Sequence, residues 1–138
     1  MPRSLRMDHE GAWQHVMNRG AAHAAIFQDG RDHIDFLREL DNACAFAALE
    51  LHAFCLMGNH YHLLLKSNEG RLSEGMQRLS SNFTHAMNQR HGRDGALFRG
   101  RFASREIMDN AQMLQALRSI HLNPTEARLV TRPEDWRW

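Results

Sequence analysis

The sequence predicts an α+β fold with a mostly antiparallel sheet. Two observations lead there. Short apolar segments of strand character alternate with stretches whose apolar residues recur every three or four positions, and two of the strands are separated only by Gly58 and Asn59. With 138 residues, 43% hydrophobic and 24% charged, the chain suits one globular domain with its own core and excludes a wholly disordered or fibrous protein. The expected division is a mobile polar arm over residues 1–12 and a single domain over 13–138.

Residues 13–18 are expected as the first strand, ended by Arg19 and Gly20. After a loop, residues 31–49 read as a helix, because Ile34, Leu37, Leu40, Cys44 and Ala47 fall on one face. Asp29 and Asp32 lie near its start, where negative charge suits the helix dipole. Residues 51–57 form a short apolar strand, the Gly58-Asn59 pair turns the chain, and residues 60–66 return as the other arm of a hairpin. Ser73 is the expected N-cap of a helix running to about His91, with Leu72, Met76, Leu79, Phe83 and Met87 facing inward. Residues 102–108 read as a strand. Asp109 or Asn110 then caps a third helix over 111–122, which Pro124 should stop. A βαββαβ order with a central hairpin is the ferredoxin-like arrangement, two helices on one face of the sheet. The third helix is left for the other face or an edge.

Composition narrows the chemistry. Cys44 and Cys55 have no zinc-site spacing and read as small buried apolar residues. No apolar run is long enough to span a membrane, and the first six residues lack the apolar core of a secretory leader, so a cytoplasmic protein without a membrane partner is expected. The net charge is only +1, yet 16 arginines stand against one lysine, Lys66. Guanidinium forks match phosphate oxygens better than ammonium groups do.

Three local features carry chemistry. His60 and His62 alternate onto one face of a strand, roughly 7 Å apart along the backbone. They are either a pair of ligands for one divalent metal or two polar residues on a solvated face. Gln112, Gln115, Ser119 and Asn123 share a face of the third helix, where an amide oxygen can complete a hard-cation site or simply cap the helix end before Pro124. Arg90, Arg93, Arg99, Arg101 and Arg105 fall within 16 residues, interleaved with Phe98 and Phe102. Charge for phosphates and flat faces for bases is the combination that single-stranded nucleic acid requires. The plainer alternative is a solvated loop whose phenylalanines anchor it to the core. Arg19 is a further candidate phosphate contact.

Together and in this order, these stretches resemble the REP-associated tyrosine transposases, HUH-type single-tyrosine transposases of bacterial insertion sequences. The matching words are His-Val-Met-Asn-Arg-Gly at 15–20, the run at 51–65 that contains Gly58-Asn59-His60-Tyr61-His62, Leu-Phe-Arg-Gly-Arg-Phe at 97–102, Ile-His-Leu-Asn-Pro at 120–124 and Asp-Trp-Arg-Trp at 135–138. The resemblance implies a nuclease fold acting on single-stranded or hairpin DNA, and a homodimer. It implies a divalent cation, Mg²⁺ or Mn²⁺, on His60, His62 and Asn123, polarising the scissile phosphate. It also implies a helix tyrosine that attacks to leave a 5′-phosphotyrosine link. The family's word runs Tyr-Ile-His-Leu-Asn-Pro, and this chain has Ser119 at the tyrosine's position. Its single tyrosine, Tyr61, lies between the two histidines. Three readings stay open: a transposase-family transesterase with Ser119 as the candidate catalytic residue, active or inactivated by that one substitution; a retained DNA-hairpin binding module that cleaves nothing; or a structural metal domain with no DNA role.

Overall fold

The computed structural model describes residues 8–126 and Trp138. Its elements run β1 (Ala12–Arg19), a 3-10 turn (Ala21–His23), α1 (Gly30–Ala47), β2 (Leu49–Leu56), β3 (His60–Ser67), α2 (Leu72–His91), β4 (Ala103–Ile107) and α3 (Asn110–Glu126). The sheet order is β2-β3-β1-β4, and every neighbouring pair is antiparallel. The expected element order and the hairpin at Gly58-Asn59 are both present.

Strand alternation sorts the sheet into two faces. Val16, Tyr61, Leu63 and Leu65 point to the face covered by α1 and α2, where they join Phe36, Leu40, Leu79 and Phe83 in the main core. The other face carries Trp13, His15 and Met17 of β1 beside His62 and Leu64 of β3, fixed by the Met17–His62 and His15–Leu64 pairings. There α3 packs through Ile120 against Ala53, Cys55, Met57 and Leu64. The third helix thus takes the second face and brings Ser119 and Asn123 to the histidine strand.

Five local expectations are corrected. Ile34 is 48% exposed, because the buried stripe of α1 runs through Phe36, Leu40, Ala43 and Ala47. The bulkier phenylalanine wins the core position. Ser73 lies inside α2 rather than capping it. The Leu72 amide donates instead to the carboxylate of Asp8 at 2.9 Å, which also accepts from Ser67 Oγ at 3.1 Å. Asp8 therefore pins the end of an arm expected to be mobile, and residues 1–7 lie outside the described part. Pro124 sits inside α3, which continues to Glu126. A proline removes one helical hydrogen bond, at the carbonyl four residues back, without necessarily ending the helix. Asp109 does cap α3, accepting from the Gln112 amide at 2.8 Å. Cys44 is only half-buried, while Cys55 is buried as expected, and both are free thiols that burial pushes up to about 11.

Candidate metal centre and nucleic-acid interface

His60 and His62 reach the second face because they alternate with Tyr61, whose ring is fully buried against Phe36 and Phe98. Asn123 arrives from α3 above them. Its Oδ1 lies 3.3 Å from His60 Nε2, and its Nδ2 lies 3.2 Å from His62 Nε2. The three side chains named from the sequence therefore converge on one point. Among the described residues no three His, Cys, Asp or Glu side chains do so, since the third donor here is an amide.

The far side of each imidazole is also engaged. His60 Nδ1 lies 2.7 Å from Asn59 Oδ1, and His62 Nδ1 lies 3.1 Å from His15 Nε2. With each Nδ1–H donating outward, both Nε2 lone pairs turn to the common point. Burial, with the neighbouring His15 and His60 adding to it, pushes His62 down to about 4. Its ring is neutral at neutral pH, as ligation requires. Burial, then the charge of Arg105, also holds His15 below the usual range. Sequence reasoning did not assign His15 or Asn59 to the site. The signal existed for both, because His15 alternates in step with Met17 on β1 and Asn59 directly precedes the first histidine.

Two pockets flank the convergence point. One, of about 220 Å³, lies between α3 and the sheet and is bordered by Ser119, Asn123, His62, His15, Arg105 and Gln115. Ser119 is thus beside the histidines, and the amide-rich face of α3 looks onto them. The other, of about 700 Å³, is bordered by His60 and His62 together with Arg19, Arg99 and Arg101. The register explains part of this: Arg19 pairs with His60 across β1 and β3, and Arg105 pairs with His15 across β1 and β4. The loop before β4 is pinned by the Arg99 amide, which donates to the Arg19 carbonyl at 2.9 Å. Among the described residues no ion pair involves Arg19, Arg99, Arg101 or Arg105.

The rest of the arginine cluster is used differently. Arg90 forks onto both carboxylate oxygens of Asp29, at 2.7 Å each, and also bonds the fully buried Asp32. Its hydrogen bonds hold the Asp29 carboxyl well below the usual carboxylate range. Arg93 donates to Asn88 Oδ1 at 2.7 Å and to the Ala96 carbonyl at 3.1 Å, fixing the turn after α2. Neither lines the basic pocket. Phe98 is 7% exposed and edge-on to Tyr61 in the core, so it offers no face for a base, and Phe102 is equally buried. For these two aromatics the anchoring alternative holds. Of the final word at 135–138, only Trp138 falls within the described residues. It stacks on His33 with ring centroids 4.7 Å apart.

Among the described residues no helix is long and apolar enough to cross a membrane. No curated protein matches the chain. Among solved structures, that of a REP-associated tyrosine transposase bound to a REP hairpin is similar, with a TM-score of 0.84 and 17% identity over 100% of this chain and 81% of that one. A putative transposase from Deinococcus radiodurans R1 is similar with a TM-score of 0.59 and 16% identity, over 86% of this chain and 97% of that one. At these identities the likeness is one of fold. A family model, that of the IS200-like transposases, matches residues 9–118, taking in the histidine strand and the basic loop and ending one residue before Ser119. The chain belongs to the IS200-like transposase family.

Proposed function

We propose that this chain, as one domain over residues 13–138, binds hairpin or single-stranded DNA on the second face of its sheet and holds a divalent cation on His60, His62 and Asn123. Family membership and the hairpin-bound state of the similar transposase support the DNA partner. The observation that carries the reading is the meeting of two imidazole Nε2 atoms at the side-chain amide of Asn123, beside a basic pocket. The donor set fits: two imidazole nitrogens and an amide oxygen suit Mn²⁺ or Mg²⁺, and would also accept Zn²⁺ or Ni²⁺. Such a cation, when bound, supplies Lewis-acid polarisation of a phosphate oxygen. Arg19, Arg99 and Arg101 would hold flanking phosphates, with Arg105 on the Ser119 side. A homodimer belongs to the same reading and is checked by sedimentation equilibrium.

Two readings of the chemistry remain distinct. The only phenol, Tyr61, is buried in the opposite face, which supports a chain that binds without forming a protein–DNA link. The open pocket beside Ser119 favours a strand-transfer site silenced by that one substitution over a module built only to bind.

The test is electrophoretic retardation of hairpin DNA across a salt series. The chain should retard it, and the Arg99→Ala, Arg101→Ala double variant should bind more weakly, with the slope of log affinity on log salt reduced by about 2. Absence of retardation at low salt would defeat the reading. A calorimetric titration with Mn²⁺ checks the cation. His15→Ala should lower the affinity roughly 10- to 100-fold by releasing the His62 ring, and an unchanged affinity would remove His15 from the site.

A further inference from the structure

The basic pocket does not end at the loop before β4. Gly100 borders it and two further pockets, and Arg101 borders one of those as well. Both additional pockets lie against α2. Their α2 walls are formed mainly by Ser73, Gln77, Ser80, Ser81 and Thr84. Residues 73, 77, 80 and 84 recur at steps of four, three and four, so they share one helical face, with Ser81 beside them. This face flanks the stripe of Leu72, Met76, Leu79, Phe83 and Met87 that fills the core, so that Ser80 and Thr84 are half-buried while Ser73, Gln77 and Ser81 are exposed. From residue 73 to residue 84 it extends about 17 Å at the helical rise.

Two properties make this row unlike an ordinary solvated helix face. The chain carries 16 Asp and Glu residues, yet among the described residues none borders any of the three pockets. The row itself is uncharged and composed of hydroxyl and amide groups. Side chains of this kind bond phosphate and sugar oxygens and set the position of a strand without reading its bases. The two phenylalanines that border this path, Phe98 and Phe102, are buried and offer no face to a base; the exposed ring at the end of the row is that of His85.

The geometry points to a second stretch of DNA interface: the hydroxyl and amide row of α2 receives the sugar–phosphate backbone of DNA that passes over Gly100 from the basic pocket. This rests on the DNA-binding reading above. The backbone comes either from the paired stem of a hairpin or from an unpaired strand flanking it.

Gln77→Glu and Ser81→Glu place a carboxylate in the row at exposed positions where glutamate sustains a helix. Gln89→Glu, exposed on another side of α2, controls for net charge. All three variants should melt with the parent chain. At low salt the first two should bind an extended hairpin about tenfold more weakly through like-charge repulsion, while the control binds normally. A loss seen only with the single-stranded extension assigns the row to the unpaired strand, and a loss with the blunt hairpin as well assigns it to the stem. Normal binding by both row variants, with weakened binding by the Arg99→Ala, Arg101→Ala protein, would overturn the row while leaving the proposed function standing. Failure of the parent chain to bind would overturn both.

Discussion

Ser119→Tyr should introduce strand nicking by a phenol nucleophile. Incubated with Mn²⁺ and a hairpin carrying a single-stranded flank, the variant should yield a cleaved strand and a covalent protein–DNA adduct visible on a denaturing gel. In that step the phenol oxygen bonds to phosphorus, the bond from phosphorus to the 3′ oxygen breaks, and the proton ends on the released 3′ hydroxyl. The space for the ring exists. The pocket beside Ser119 measures about 220 Å³, and a cavity of about 150 Å³ takes a benzene molecule. A serine hydroxyl at the same Cα falls short by the length of a ring, and a displacement of ångströms is enough to suppress attack. The expected gain is about 10³-fold over the parent. A variant that folds and binds both Mn²⁺ and hairpin yet forms no adduct would favour the binding-module reading.

Asp32→Ala should destabilise the fold more than any change at the DNA face. Asp32 is fully buried and accepts from the Gln28 amide at 2.8 Å, from His91 Nε2 at 2.9 Å and from Arg90. It joins the first turn of α1 to the last turn of α2, with acidic groups at an N-terminus and basic groups at a C-terminus, the favourable sense for both dipoles. Removing the carboxylate leaves the Gln28 amide and the His91 ring without their acceptor and Arg90 with Asp29 alone. Donors left without their acceptor in a buried network cost about 1–3 kcal/mol. Urea unfolding should show a shift of that size in midpoint-derived stability, and a change below about 1 kcal/mol would mean that the network contributes little.

Most of the fold was legible because its signals are periodic. The α2 stripe of Leu72, Met76, Leu79, Phe83 and Met87 is buried as read. In α1 the periodic pattern also admits Ile34, which the fold leaves exposed while Phe36 is buried. The metal candidates were legible for a different reason. Strand alternation sets His60 and His62 on one face, while the family resemblance supplied Asn123, which no local pattern ties to residues some sixty positions earlier. The arginine cluster was legible as composition but not as partnership. Arg90 is claimed by Asp29 and Asp32 from the opposite end of α1, a long-range pairing that neighbouring sequence does not announce. Phe98 and Phe102 look exposed beside arginines in sequence, yet they alternate inward with them in space.

The strand that carries His60 and His62 is also an inner strand of the sheet, and Tyr61 and Leu63 on its reverse are among the most deeply buried side chains of the described residues. Chemistry on this surface therefore inherits its precision from tight packing on the reverse. Trimming Leu63 would touch neither histidine, yet it would loosen the ribbon that aims them. Drift in this lineage can therefore misalign the two imidazoles from positions no inspection of the cleft would flag.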